Sequence, residues 1–136
     1  MIYFIIPGKA KGKDRPKFNK NYKHVYTKDS TKQYEDLVAA LCKSKYKGDP
    51  MDCPFNVAIN IFTAPAKSLS KKKKAELMKD SPMKTPDLDN VAKIIMDALN
   101  KVVWNDDRQV VALKVQRVWS NDNYVSVTIT TEEERK

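Results

Sequence analysis

Histidine is almost missing from this chain: His24 is the one copy in 136 residues. Any mechanism that needs two histidines is therefore excluded. Cysteine is nearly as scarce. Cys42 and Cys53 form no CxxC pair and have no histidine beside them, so neither a zinc site nor a disulfide framework fits. Idle or buried thiols are the plainer reading. Long apolar runs are missing too, since none approaches the roughly 18 residues that span a bilayer. The opening MIYFIIPGKA has no basic residues ahead of its apolar stretch, which is too short for a signal-peptide core. The expectation is a cytoplasmic protein without a membrane partner. Negative charge is in deficit: 17 Asp and Glu face 26 Lys and Arg, for a net charge of +9 and a pI of about 9.5. Such a balance favours a polyanionic partner, either nucleic acid or an anionic membrane surface, and with no membrane signal nucleic acid is the expected one.

The length fits a single domain over residues 1–136. At this size folding hides roughly two-thirds of the chain's surface, and 41% hydrophobic residues can fill a core. The positive field is uneven. Residues 1–50 hold twelve Lys and Arg against five Asp and Glu, +7 of the total +9.

Residues 2–6 read as a short buried strand ended by Pro7-Gly8. Residues 9–24 form a basic loop or irregular hairpin. Residues 29–46 are an amphipathic helix capped by Asp29 or Ser30, with Tyr34, Leu37, Val38 and Leu41 as its apolar stripe. Gly48, Asp49 and Pro50 stop it. Residues 55–63 alternate as a half-buried strand does. A short helix over about 70–79 starts at Ser70, and its KKKK run is first of all a solvated face. The clearest helix spans 87–101, with Leu88, Val91, Ala92, Ile95, Leu99 and Val102 facing the core. Residues 109–119 and 123–131 read as a hairpin across Ser120–Asn123, and the terminal EEERK is expected to fray. The order β-α-β-(short α)-α-β-β predicts an α/β (α+β) domain, a small mixed sheet packed by helices.

Pro86-Asp87-Leu88-Asp89-Asn90 falls where loop becomes helix, so Asp87 and Asp89 project from the helix start. Asn90, Lys93 and Asp97 follow on the face opposite the apolar stripe. Asp106-Asp107 comes after the apolar link Val102-Val103-Trp104, which can fold the pair back towards that face. Clustered aspartates without histidine or cysteine suit Mg²⁺ or Mn²⁺ better than zinc. Gathering them without a cation is costly through like-charge repulsion. The candidate ligands are Asp87, Asp89, Asp106 and Asp107, with Lys93 placed to offset charge on a phosphate. An EF-hand does not fit, because the stretch after Asp89 is helical and apolar. A structural reading competes at each position. Asp87 or Asp89 alone is an ordinary helix cap, Lys93 alone an i,i+4 partner of Asp89 or Asp97, and Asp106-Asp107 alone a turn. Taken without a family, the residues leave both readings open.

The basic arm is the second candidate feature. Lys9, Lys11, Lys13, Arg15, Lys17, Lys20, Lys23 and Lys28 are interleaved with Phe18, Tyr22 and Tyr26. Cations there can grip phosphates and rings can stack on unpaired bases. The alternative is a solvated lysine loop with tyrosines in the core. Lys13, Arg15, Lys17, Lys20 and Lys84 are the candidate DNA contacts.

The acidic motif carries a resemblance. Pro86-Asp87-Leu88-Asp89-Asn90, Lys93, Asp97-Ala98-Leu99-Asn100 and Asp106-Asp107-Arg108-Gln109-Val110 resemble, in order and spacing, the RusA-type Holliday junction resolvases, many of them phage-encoded. The N-terminal IPGKAKGKDRPKF followed by Tyr26-Thr27 is also similar, so the resemblance covers nearly the whole chain. It implies a homodimeric, Mg²⁺-dependent endonuclease placing paired, symmetric cuts in four-way DNA junctions during recombination and repair, with no small-molecule substrate. The family's catalytic acids fall on Asp87, Asp89 and Asp107 and its essential lysine on Lys93, with Asp97 and Asp106 as secondary candidates. One departure is visible: some members carry arginine directly before the first aspartate of the motif, where this chain has Thr85-Pro86 with Lys84 earlier. Two readings from other classes stand beside it. One is a non-catalytic DNA-binding or recombination accessory protein, the other a general metal nuclease acting on flaps or RNA.

Overall fold

The computed structural model describes residues 1–13, 17–19, 24–26 and 29–135. The elements run β1 (Ile2–Pro7), β2 (Lys17–Asn19), β3 (His24–Tyr26), α1 (Asp29–Lys45), β4 (Phe55–Thr63), α2 (Lys71–Leu77) and α3 (Leu88–Leu99). A short 3₁₀ turn (Asp107–Gln109), β5 (Val110–Trp119), β6 (Tyr124–Thr131) and α4 (Glu132–Arg135) complete the order. This is the mixed α+β architecture expected from the sequence. Among the described residues, β2 and β3 pair as a small antiparallel hairpin, and the main sheet has the order β1-β6-β4-β5.

The alternation of β1, β4 and β6 explains the core. Ile2, Phe4 and Ile6, then Phe55, Val57, Ile59 and Ile61, then Val125, Val127 and Ile129 are all buried. Two helices cover that face, α1 against β1 and α3, and α3 against β5. α3 supplies Val91, Ala92, Ile94, Ile95, Ala98 and Leu99. Leu88, expected to face the core, is instead 37% exposed, because it opens the first turn beyond the edge of the packed stripe. α1 is rotated relative to its expected stripe: Val38 is buried with Thr31 and Cys42, while Leu37 points out. Among the described residues no helix is long and apolar enough to cross a membrane.

The expected hairpin between β5 and β6 does not form. β4 lies between them, parallel to β5 and antiparallel to β6. Burial gives the physical reason. β6 hides Val125, Val127 and Ile129, and also Ser126 on its other face, so it belongs inside the sheet between β1 and β4. β5 leaves Val111, Leu113 and Val118 exposed and suits an edge. The 120–123 connection steps over the end of β4: Ser120 N donates to Thr63 O at 2.9 Å, and Asn123 Oδ1 accepts from Ala64 N at 2.9 Å. At the C-terminus, residues expected to fray form the single turn α4.

Candidate active site

Three aspartates lie along α3 or at its start, and the chain enters the helix under restraint. The Thr85–Pro86 peptide is cis. Arg117, near the end of β5, donates from its guanidinium to the carbonyls of Lys84 and Pro86. Asp87 is the N-cap residue, in extended conformation (φ −60°, ψ 149°), and its carbonyl accepts from Val91 N at 3.1 Å. Its side chain makes no capping hydrogen bond. That observation removes the ordinary structural use of an aspartate at this position. Asp89 follows in the first turn, and both carboxylates are exposed at the positive end of the helix dipole.

Lys93 is exposed one turn after Asp89. Asp97, two turns after Asn90, takes its ion pair from the N-terminal arm instead. Lys13 Nζ lies 3.3 Å from Asp97 Oδ2 and 2.6 Å from Glu35 Oε1, while Lys13 N donates to Asn90 O at 3.0 Å. Burial opposes the charge on Lys13, but Glu35 and Asp97 outweigh it and hold its pKa above the ordinary lysine value. Lys13, a candidate DNA contact from the sequence, is thus a brace joining the arm to α1 and α3. Gly12 makes that approach possible, since a Cβ there would lie 2.7 Å from Pro86 Cβ and 3.1 Å from Asn90 Cβ.

Asp106 and Asp107 lie at the other end of α3. After the helix, Lys101 turns the chain with φ 68°, and Val102, Val103 and Trp104 are buried. Trp104 packs its ring 5.5 Å from that of Phe55 and donates from Nε1 to Asn100 Oδ1 at 2.8 Å. Gln109 fastens the acidic turn. Its Oε1 accepts from Asn105 N (2.8 Å) and Asp106 N (3.1 Å), and its Nε2 donates to Met51 O (2.8 Å) and Cys53 O (3.1 Å). Asp106 caps the 3₁₀ turn through Arg108 N at 3.0 Å. That backbone bond, chiefly, holds its carboxyl below the usual range. Asp107 moves the other way: burial comes first, then the hydrogen bond and charge of Asp106 and the charge of Asp97, all pushing its pKa up. Asp107 is thus a carboxylate among carboxylates, the electrostatic setting that a cation relieves.

The two acidic groups do not meet within one chain. Asp107 feels Asp97, ten residues beyond Asp87, and at about 1.5 Å per residue roughly 15 Å of helix axis separates those two ends. Among the described residues no three His, Cys, Asp or Glu side chains sit close enough together to hold a metal ion. The expected convergence of Asp87, Asp89 and Asp107 inside a single chain is therefore not what the fold provides. The donor chemistry still suits a hard cation, with oxygen ligands throughout and Asp87 free of its cap bond.

Of the remaining expected DNA contacts, Arg15 and Lys20 lie outside the described residues, and Lys17 is described as backbone in β2. Lys84 is exposed, its ammonium 5.7 Å from the centre of the Trp119 ring. Sequence reasoning missed Arg117 and Glu35, and it quoted Gln109 in the motif without giving it a role. Arg117 had a signal: it shares a strand face with Leu113 and Val115, and a cation on an apolar face needs an internal partner. Burial holds its pKa below the ordinary arginine value, against the charge of Asp87.

Comparison with known proteins agrees with the motif. The sequence model of a family described as "RusA: Endodeoxyribonuclease RusA" matches residues 7–130. The chain is also similar to the "Uncharacterized protein YqaN" of Bacillus subtilis (strain 168), 32% identical over 134 residues that cover 94% of each chain.

Proposed function

The chain belongs to the RusA endodeoxyribonuclease family, and from that premise we propose that it is a Mg²⁺-dependent, structure-selective endonuclease of the cytoplasm that resolves four-way DNA junctions as a homodimer. One observation supports the reading most directly. Asp87 occupies a cap position without capping, and Asp89 stands exposed two residues later, in a protein of net charge +9. Exposed carboxylates against so basic a background, one of them acting on the charge of Arg117, suit a divalent cation.

Asp87 and Asp89 would hold the ion from one side and Asp107, with Asp106, from the other. Mn²⁺ would serve in the same oxygen-rich setting. A metal held there would supply Lewis acidity towards a phosphoryl oxygen and a bound water of lowered pKa. The chain's own contribution is position and charge. Asp87 and Asp89 hang from a helix start locked by Arg117, Asp107 from a turn locked by Gln109, and Lys93 offsets charge on the scissile phosphate. The separation along α3 gives the dimer a chemical purpose. A two-fold pairing that runs two α3 helices antiparallel sets the Asp87 end of each beside the Asp107 end of its partner. Two equivalent centres then match the approximate two-fold symmetry of a four-way junction, with recognition resting mainly on shape and phosphates.

The test is cleavage of a synthetic four-way junction with and without Mg²⁺, beside linear duplex and flap substrates. Paired cuts are expected on the junction with Mg²⁺ alone. Asp89→Asn should lower cleavage at least a hundredfold while junction affinity stays within a few-fold. A wild-type rate in that variant would remove the catalytic assignment. The same acidic separation favours the rival reading, a non-catalytic accessory, which instead predicts junction binding with no Mg²⁺-dependent nicking.

A further inference from the structure

A groove of about 940 Å³ opens beside the Asp87 end of α3. Lys9, Lys67, Lys74, Lys84 and Arg117 line it, and among the described residues no acidic side chain does. Its apolar lining includes Phe62, Met78 and Met83. Two features make this more than a basic surface. First, α2 buries none of its residues, so the core gives no reason for its position. Of its four consecutive lysines, Lys71, Lys72 and Lys73 are exposed and Lys74 is half-buried along the groove. Second, the segment from Asp80 to Pro86 is fastened repeatedly. Trp119 Nε1 donates to Asp80 O at 2.8 Å, Pro82 is buried, and Arg117 grips the carbonyls of Lys84 and Pro86. Between those anchors Met83 is 96% exposed, with Leu77 and Met78 each 42% exposed nearby in sequence. Single exposed apolar residues are ordinary. A methionine held in water by a restrained loop, on the lip of a cationic concavity, is a contact surface in waiting.

The geometry points to this groove as the seat of one unstacked nucleotide of a DNA strand, with phosphates against Lys9, Lys67, Lys74 and Lys84 and the base against Phe62, Met78 and Met83. Charge chooses the occupant. The cations, with no acidic side chain beside them among the described residues, select an anion, and the apolar lining selects one with flat apolar faces. Paired bases in a duplex present neither face, so the base has to leave its stack. The volume falls within the range of small-molecule sites, about 300–1,000 Å³. Methionine is flexible and polarisable and accepts any of the four bases, so the site tolerates sequence. Arg117 is left out of the phosphate set because two of its five N–H donors are spent on carbonyls, which fixes it as a loop anchor. The inference rests on the endonuclease reading in one respect: Pro86 lines the groove directly before Asp87, which puts the seated nucleotide next to the phosphate to be cut.

The full-length protein, labelled with ¹³C at its methionine methyls, tests this without any cleavage. The chain has five methionines, of which Met1, Met51 and Met96 lie outside the groove. Adding the tetranucleotide dT4 should shift the Met78 and Met83 signals and leave Met51 and Met96 in place. The double variant K67E/K74E should weaken dT4 binding at least tenfold and reduce the salt slope by about 1.4, at about 0.7 per lost phosphate contact on a single strand. Unchanged Met51 and Met96 signals in that variant report an intact fold. Silent Met78 and Met83 signals, undiminished binding in the variant, or an equal response to dTMP alone would each overturn the strand site. Junction cleavage on the same preparation separates the two ideas. Cutting with silent groove methionines removes the groove and keeps the nuclease; shifted methionines without cutting do the reverse.

Discussion

Asp107 and Lys13 show how single side chains divide between function and stability. Asp107 has its pKa raised by burial and by Asp106 and Asp97. A carboxyl with a raised folded pKa burdens the native state as pH rises through the ordinary carboxylate range, and the full burden remains at neutral pH. Asp107→Asn should therefore stabilise the protein at pH 7 by about 0.2–0.5 kcal/mol, the size of a like-charge neighbour effect. The gain should vanish well below the ordinary aspartate value of about 3.9, and cleavage should be lost. Thermal melts at the two pH values check it; a melting point lowered at pH 7 would contradict the electrostatic account. Lys13 has the opposite sign. Its pKa is raised by Glu35 and Asp97, so its stabilisation is complete below about pH 10.4 and fades as pH climbs through the raised value. All three side chains remain 21–27% exposed, so Lys13→Met should cost about 1–2 kcal/mol near neutrality, between surface and buried ion pairs. The difference between variant and wild type should shrink at alkaline pH in urea titrations.

At the scale of elements, α3 is the ruler of the candidate site. Its apolar face is bound to the sheet, and its two ends hold separate acidic groups in fixed register. Each end has its own lock: Arg117 across to Lys84 and Pro86, and Gln109 across to Met51 and Cys53. The N-terminal arm is pinned to the same helix at Gly12, where the backbone passes against Pro86 and Asn90. Gly12→Ala inserts a methyl into the Pro86 ring and should cost about 1–3 kcal/mol, the usual range for overpacking. It should also raise hydrogen exchange at the Lys13 amide, which bonds to Asn90 O. Native stability and a protected Lys13 amide in the Gly12→Ala variant would show that the arm is not held there.

At the scale of the whole molecule, the separation of the acids makes a prediction that no single chain can satisfy. If each centre draws Asp89 from one protomer and Asp107 from the other, then mixing Asp89→Asn with Asp107→Asn protein rebuilds one intact centre per mixed dimer. Two inactive preparations, unfolded and refolded together, should recover nicking at up to about half the mixed-dimer population's wild-type capacity, with single cuts replacing paired ones. Persistent inactivity of the mixture, with mixed dimers demonstrated by mass, would put each complete centre back in one chain. The basic balance acts at this scale too. Association with junction DNA should weaken steeply with salt, because the cations that carry the net +9 act through displaced counterions.

The sequence alone determined the local pieces and the chemistry on them. A short apolar run marked β1, period-two alternation marked β4 and β6, and the stripe from Val91 to Leu99 marked α3. The Asp87, Asp89, Lys93 and Asp106-Asp107 spacing carried the family resemblance. These are legible because burial pattern and motif spacing are properties of neighbouring residues. Tertiary structure decided everything that depends on distant segments meeting. It placed β4 between β5 and β6, where adjacent strands in the chain suggest a hairpin. It turned Lys13 inward to Glu35 and Asp97, and gave Arg117 and Gln109 their locking roles. It also set the two acidic groups at opposite ends of one helix. Pairing partners, ion-pair choice and the span between side chains depend on where the backbone travels, and local sequence pattern does not encode that path.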